Sequence, residues 1–187
     1  MTLNIPNLLT WGRILLIPIV VGVFYLPLTS FEQNLIATGA FVIAAITDWL
    51  DGWLARKLNQ TSAFGEFLDP VADKLMVAAA LVMLVQLGRA DALLAFVIIG
   101  REIAISALRE WMARIGAAKS VAVSFVGKFK TAAQMTATPM LLWHAPFGSI
   151  DVQRLGTWLL WAAAVLTLWS MGYYLFKAWR EISAMKH

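Results

Sequence analysis

Three stretches of this 187-residue sequence contain no charged residue, and each is close to the length of a membrane-spanning helix. They cover residues 14–31, 131–150 and 155–176. A helix needs about 20 mostly apolar residues to cross the hydrocarbon core of a bilayer, so each stretch is predicted to be a transmembrane helix. The composition agrees, because only 14% of the residues are charged, whereas soluble domains average about 25%. The sequence contains no cysteine, which excludes a small disulfide-stabilised scaffold.

The middle of the chain adds three apolar runs that each meet charged residues at one end. Extending these runs through their charges predicts six spans in total, near residues 12–28, 33–55, 68–88, 92–112, 120–146 and 155–180. Apolar and polar residues alternate ahead of the first span, which predicts a short N-terminal interfacial helix. We therefore predict an all-α integral membrane protein in which residues 1–187 form a single membrane-embedded domain.

Basic residues divide unevenly between the two sides of this six-span arrangement. Alternation of the spans puts both termini on one side with 13 of the 15 lysines and arginines, and puts Arg89 and Arg154 on the other. Positively charged loops remain in the cytoplasm, so both termini are predicted to be cytoplasmic in a multi-pass protein of the cytoplasmic (inner) membrane. The net charge of +4 reflects this bias, and no nucleic-acid partner is expected. The charges within the spans lie toward the same side, which predicts a polar cavity open to the cytoplasm.

Four aspartates stand at helical spacing on the second and third predicted spans. Asp48 and Asp51 are three residues apart and Asp69 and Asp73 are four apart, so each pair lies on one helix face. Neighbouring antiparallel helices would bring the pairs together, and four negative charges in a low-dielectric site require protons or cations. Carboxylate oxygens without histidine or cysteine suit Mg²⁺ or Mn²⁺, and four of them are enough for two ions.

Small residues and one arginine accompany the aspartates. Gly52, Ala55 and Gly65 remove side-chain bulk beside the carboxylates and leave space for a ligand near the helix backbones. Arg56 adds a forked donor suited to a phosphate group. Taken singly, the small residues are equally typical of helix packing, and each aspartate of a charge at a helix end. All eight positions together are much more specific.

These eight residues form the pattern D-x2-D-G-x2-A-R-x8-G-x3-D-x3-D, which resembles the signature of the CDP-alcohol phosphatidyltransferases. Members of that family are six-helix integral membrane enzymes, usually homodimers. In their reaction an alcohol hydroxyl attacks the lipid-side phosphorus of a CDP-activated lipid and CMP leaves. The resemblance implies that the four aspartates hold a di-metal centre and that Asp73 is the general base. It also implies that the residues binding the CDP-lipid include Gly52, Ala55, Arg56 and Gly65.

Four cations on the fourth and fifth predicted spans point to the acceptor alcohol. Arg101, Arg109, Lys128 and Lys130 exceed what the metal centre needs, so a second anionic ligand is predicted. A phosphorylated alcohol fits this charge, whereas choline or ethanolamine, being cationic, does not. The alternative is that most of these residues mark the cytoplasmic interface and extend their charges to water. Glu102 is expected to pair with one of them.

Further segments narrow the resemblance within the family. N-L-L-T-W-G-R-I-L, D-K-L-M, I-G-R-E-I and A-L-R-E are similar to bacterial members that combine CDP-diacylglycerol with sn-glycerol 3-phosphate. This likeness implies that sn-glycerol 3-phosphate is the acceptor and that phosphatidylglycerol phosphate and CMP are the products. It also places Asn7 and Thr10 near the CDP-lipid and Arg13 near the acceptor phosphate.

Two other interpretations remain open at the level of sequence. A cardiolipin synthase of the same fold or a phosphatidylinositol phosphate synthase would share the carboxylates and differ in the acceptor. A cation transporter or channel would instead use the carboxylates within the membrane to hold the transported ion. That alternative gives no role to the glycine and arginine positions of the motif.

Overall fold

Six α-helices account for most of the residues that the structure describes. The computed structural model describes residues 5–58, 63–116 and 125–184, and no β-strand is assigned within these ranges. The helices are α1 (Ile5–Gly22), α2 (Ser30–Leu58), α3 (Ala63–Gln86), α4 (Ala92–Arg114), α5 (Phe125–Trp143) and α6 (Val152–Ala184). A 3₁₀ turn, Val23–Tyr25, follows α1. The all-α fold with one helix for each predicted span is confirmed.

The N-terminal segment differs from its prediction. The short interfacial helix expected ahead of the first span is not a separate element, because α1 runs without interruption from Ile5 to Gly22. No turn sequence separates the leader from the apolar run, and Pro6 stands in the first helical turn, where its missing N–H costs no hydrogen bond. The continuity extends α1 far enough to carry Thr10 and Arg13 alongside the aspartates.

Within the described residues, three helical segments are long and apolar enough to cross a membrane by length and composition: Leu8–Tyr25, Ser30–Asp51 and Val152–Ser183. The segments in α3, α4 and α5 do not meet this criterion, although residues 131–150, most of which belong to α5, contain no charged residue. Large apolar side chains cover the outside of the bundle, including Phe96, Trp158 and Trp169, each more than 70% exposed. An exterior this apolar is typical of contact with lipid.

Two apolar clusters hold the bundle together. The larger one combines bulky side chains such as Phe41, Leu84 and Leu141 with small ones such as Ala37 and Ala80, and the small residues allow helices to approach closely. The second cluster consists of Ile105, Met112, Tyr174 and Ala178, and it joins α4 to α6. This second contact lies beside the polar site described below.

One end of the bundle is closed by hydrogen bonds between turns and helix ends. Arg89 donates to the carbonyl oxygen of Leu142 at 2.9 Å, which satisfies a group at the C-terminus of α5. Asp91 caps the N-terminus of α4 by accepting from the Leu93 N–H at 2.8 Å. The polar groups of the functional site lie at the other end.

Close packing of α5 against α6 depends on Gly156. A Cβ atom at this position would lie 3.0 Å from Leu141 Cγ and 3.2 Å from Met140 Cβ. Leu141 is fully buried in the larger apolar cluster, so it has little room to move.

We expect Gly156→Val to destabilise the bundle, because overpacking of a filled contact typically costs about 1–3 kcal/mol. The measurement is the thermal unfolding temperature of the purified protein in detergent. Gly172→Val is the matched control, since it makes the same change in α6 at a position where a Cβ meets nothing within 4 Å. If the unfolding temperature falls equally for both variants, helix propensity and not the α5–α6 contact causes the destabilisation.

Candidate active site

Polar side chains from all six helices meet at one end of the bundle. Because successive helices alternate in direction, this end combines the N-terminal parts of α1, α3 and α5 with the C-terminal or middle parts of α2, α4 and α6. The sequence predicts this convergence for α2 to α5. The resemblance also brings in α1 through Thr10 and Arg13, and the structure adds α6.

The Arg13 guanidinium lies buried between two of the aspartates. Its Nη1 atom is 2.7 Å from Asp48 Oδ1, and its Nη2 atom donates to Asp51 Oδ2. Arg13 is 1% exposed and Asp51 is 3% exposed, so most of this contact is shielded from solvent. One guanidinium reaches both carboxylates because Asp48 and Asp51 stand one helical turn apart.

Thr10 makes the corresponding contact with α3. Its hydroxyl donates to Asp69 Oδ1, and the residue is 1% exposed. Thr10 and Arg13 are three residues apart, so one face of α1 meets α2 through Arg13 and α3 through Thr10. Asp73, one turn after Asp69, is half-buried.

A second cluster lies on α4, α5 and α6. Glu102 Oε1 accepts from Arg101 Nη1 at 3.1 Å and also from Lys130 Nζ. Arg101 and Lys130 are buried at 6% and 3% exposure. The Arg101 Nη2 atom donates to Ser170 Oγ at 2.8 Å. Glu102 thus pairs with two cations, where the sequence predicts pairing with one.

This second cluster, which we call the cationic cluster, carries excess positive charge. Arg101, Arg109 and Lys130 contribute three positive charges among the described side chains, and Glu102 contributes one negative charge. The Nε atoms of Arg101 and Arg109 are buried and have no hydrogen-bond partner within the described residues. Buried donors with excess positive charge are suited to an anionic ligand.

Asp73 connects the acidic and cationic halves of the site. It interacts electrostatically with Asp48 and Arg13 of the acidic half and with Glu102 of the cationic cluster. A carboxylate within range of both clusters is placed to act on a group held between them.

The structure describes only part of the predicted site. Gly65 is buried in α3. Five other residues of the predicted site lie outside the side chains that the structure describes. They are Asn7, Gly52, Ala55, Arg56 and Lys128. Arg13, expected at the acceptor phosphate, contacts two carboxylates. Ser170 and Tyr174 were not predicted, although a polar residue within an apolar span such as α6 is itself a signal of function.

Four carboxylates gather at this end of the bundle without forming a ready metal cage. Within the described residues, no three acidic or histidine side chains lie close enough together to hold a metal ion. Arg13 and Thr10 engage three of the aspartates separately. The donor set nonetheless fits a hard divalent cation, because it consists of carboxylate oxygens and two of them already converge on a positive charge.

A groove of about 800 Å³ lies along the outside of α6, lined in part by Arg154, Trp158, Trp161 and Val165. It is in the N-terminal half of α6, whereas the polar site meets the C-terminal half. Tryptophan and aliphatic side chains dominate its wall, so it is a surface of the kind that faces lipid.

The six-helix fold and the paired acidic and cationic clusters define a membrane enzyme of lipid phosphate chemistry, and comparison identifies the family. The model of the CDP-alcohol phosphatidyltransferase family matches residues 3–169, and the chain belongs to this family. The family predicted from the aspartate motif is therefore confirmed, and with it the assignment as a transferase.

Relatives of known activity cover nearly the whole chain. They include the CDP-diacylglycerol–glycerol-3-phosphate 3-phosphatidyltransferases of Escherichia coli (strain K12), Shigella boydii serotype 4 (strain Sb227) and Shigella flexneri serotype 5b (strain 8401). Each is 53% identical over 182 residues, which span 95% of this chain and 96% of the relative.

We expect Arg13→Gln to lower the unfolding temperature strongly in detergent with a chelator present. The substitution removes the positive charge that faces two carboxylates, and loss of one partner of a buried ion pair typically costs about 3–5 kcal/mol. Arg114→Gln is the matched control, because Arg114 pairs with Glu110 at 2.6 Å on the surface, where Arg114 is 75% exposed. Its expected cost is below about 1 kcal/mol. If both variants lower the unfolding temperature by similarly small amounts, the buried pair does not stabilise the fold.

Proposed function

We propose that this protein transfers the phosphatidyl group of CDP-diacylglycerol to the hydroxyl of sn-glycerol 3-phosphate, giving phosphatidylglycerol phosphate and CMP. The relatives that carry this activity in their names are 53% identical over nearly the full length. The observation that carries the proposal in the structure is the placement of Asp73 within electrostatic range of both the acidic residues and the cationic cluster. The reaction needs one site for a nucleotide diphosphate and another for a phosphorylated acceptor.

The acidic half is assigned to the CDP-lipid. Asp48, Asp51, Asp69 and Asp73 would hold two divalent ions, Mg²⁺ or Mn²⁺, which when bound neutralise the diphosphate and polarise the phosphorus under attack. The contacts of Arg13 support this assignment, because they show that Asp48 and Asp51 accept a cation between them.

Other residues complete the CDP-lipid site. The hydrogen bond from Thr10 orients the Asp69 carboxylate. The remaining residues assigned to the CDP-lipid are Asn7, Gly52, Ala55, Arg56 and Gly65. The small ones leave room for the cytidine, and Arg56 offers a forked donor to the diphosphate.

Asp73 is assigned as the general base. As the glycerol hydroxyl oxygen attacks the lipid-side phosphorus, Asp73 accepts the hydroxyl proton. A bond forms between that oxygen and phosphorus, the bond from phosphorus to the bridging oxygen breaks, and CMP leaves with the electron pair. The electrostatic interactions of Asp73 with Asp48 and with Glu102 support this role, because they link the proposed base to both halves of the site.

The cationic half is assigned to the phosphate of the acceptor. Arg101, Arg109, Lys128 and Lys130 would bind this group. Arg13, which the family resemblance also assigns to the acceptor phosphate, pairs with Asp48 and Asp51 of the acidic half. The described cations outnumber Glu102 by two charges, which a phosphate dianion balances. The same charge would repel a cationic alcohol such as choline, which is how the site selects its substrate.

The membrane arrangement follows from the charges and the apolar exterior. We place the enzyme in the cytoplasmic membrane as a six-span homodimer, with both termini and the active site facing the cytoplasm. The basic residues that alternation assigns to the terminal side support this orientation. The diacyl chains then remain in lipid while the nucleotide and the polar acceptor enter from water.

The decisive assay follows CMP release from purified protein with Mg²⁺, CDP-diacylglycerol and a panel of acceptors. We expect release with sn-glycerol 3-phosphate and none with inositol phosphate or phosphatidylglycerol, because the residues match glycerol 3-phosphate enzymes over nearly the whole chain. Release with another acceptor alone would reassign the acceptor within the family. Ion flux in proteoliposomes without CMP release would favour the transporter.

We expect Asp73→Asn to abolish CMP release and leave the fold intact, because the amide cannot accept the proton. Elution volume and unfolding temperature in detergent measure the fold. Asp91→Asn is the matched control, since Asp91 lies at the opposite end and asparagine caps a helix as well as aspartate does. Near-normal turnover by the Asp73 variant would remove the assignment of the base.

A further inference from the structure

We infer that Ser170 and Tyr174 of α6 are positioning residues for the acceptor site, acting through Arg101 and Arg109. This inference rests on the proposed function, because it concerns the arginines assigned to the acceptor phosphate. Neither residue belongs to the aspartate motif or to the segments that carry the family resemblance. Their role follows from the contacts that α6 makes with α4.

Tyr174 lies next to both arginines. The guanidinium carbon of Arg109 is 5.2 Å from the centre of the Tyr174 ring, and that of Arg101 is 5.8 Å away. Tyr174 is fully buried, so these cation–π contacts are shielded from solvent, where such contacts are strongest. The ring therefore attracts two cations that repel each other.

Packing fixes the position of the ring. Tyr174 shares the second apolar cluster with Ile105, Met112 and Ala178. Ile105 and Met112 belong to α4, and Ile105 lies between the two arginines along that helix, so the helix that carries the cations also packs against the ring. The ring is thus anchored independently of any ligand.

Ser170 fixes one arginine more directly. Its hydroxyl donates to the carbonyl oxygen of Thr167 at 3.0 Å, which leaves the oxygen free to accept from Arg101 Nη2 at 2.8 Å. The other terminal guanidinium nitrogen of Arg101, Nη1, donates to Glu102 Oε1 at 3.1 Å. Arg101 is therefore held from both sides before a ligand binds.

Holding the arginines in advance matters because of their flexibility. Arg101 and Arg109 are eight residues apart, so their backbones lie about 12 Å apart along α4, and their long side chains must turn toward one ligand. Ordering such side chains during binding costs affinity. Contacts made by Ser170 and Tyr174 in the free enzyme reduce this cost. Because these contacts involve the arginines assigned to the acceptor phosphate, they favour binding of the acceptor and not of the CDP-lipid.

The test compares KM values for the two substrates in CMP-release assays. We expect Tyr174→Leu, which removes the ring, to raise the KM for sn-glycerol 3-phosphate about tenfold and to change the KM for CDP-diacylglycerol less than about twofold. Tyr174→Phe keeps the ring and should retain a near wild-type acceptor KM. Phe176→Leu is the matched control, because Phe176 also lies on α6, is 62% exposed and contacts Arg180 rather than the arginines of α4.

Ser170→Ala provides a second, smaller change in case Tyr174→Leu does not fold. It should raise the acceptor KM by about threefold to tenfold through loss of the hydrogen bond to Arg101. Thr157→Ala is its control, since the Thr157 hydroxyl bonds within the exposed first turns of α6.

Arg109→Ala separates failure of the inference from failure of the proposed site, because it removes an assigned ligand of the phosphate. If this variant leaves the acceptor KM unchanged, the assignment of the cationic cluster is wrong and the inference falls with it. If it raises the acceptor KM while Ser170→Ala and Tyr174→Leu do not, only the inference is overturned. The inference would also be overturned if Tyr174→Leu raised the KM values of both substrates equally. It would be overturned as well if Tyr174→Phe raised the acceptor KM as much as Tyr174→Leu does.

Discussion

Two ion pairs of the buried Arg13, one with the buried Asp51 and one with the half-exposed Asp48, determine how this end of the bundle is assembled. Two carboxylates one turn apart on an apolar helix repel each other and lose solvation, so a cation must face them. Arg13 supplies that charge from α1, and Thr10 on the same face contacts Asp69 of α3. The helix before the motif therefore contributes contacts to the candidate active site.

Charge compensation continues across the rest of the site. Glu102 pairs with Arg101 and Lys130, and Asp73 interacts with both Glu102 and Asp48. The acidic and cationic clusters are thus parts of one network, with opposite charge excess at its two sides. This polarity suits a reaction that joins a metal-bound diphosphate to a phosphorylated alcohol, because each substrate is attracted to a different side.

The two ends of the bundle meet different requirements. At one end, Arg89 and Asp91 satisfy helix termini, and the connecting turns are closed. At the other, polar side chains from all six helices come together, and most of the charges there face an opposite charge.

Much of this protein follows from local sequence. Uncharged runs of about 20 residues determine the helices, and the spacing of Asp48, Asp51, Asp69 and Asp73 determines which carboxylates share a face, because helical periodicity is a property of the backbone. The same residues identified the family that comparison confirmed. Only the tertiary structure decided the partners: Arg13 with two aspartates, Glu102 with two cations, and Ser170 and Tyr174 with the arginines of α4. It also decided that α1 is continuous. Partners depend on how distant helices rotate and pack against one another, and no spacing within a single helix records that rotation.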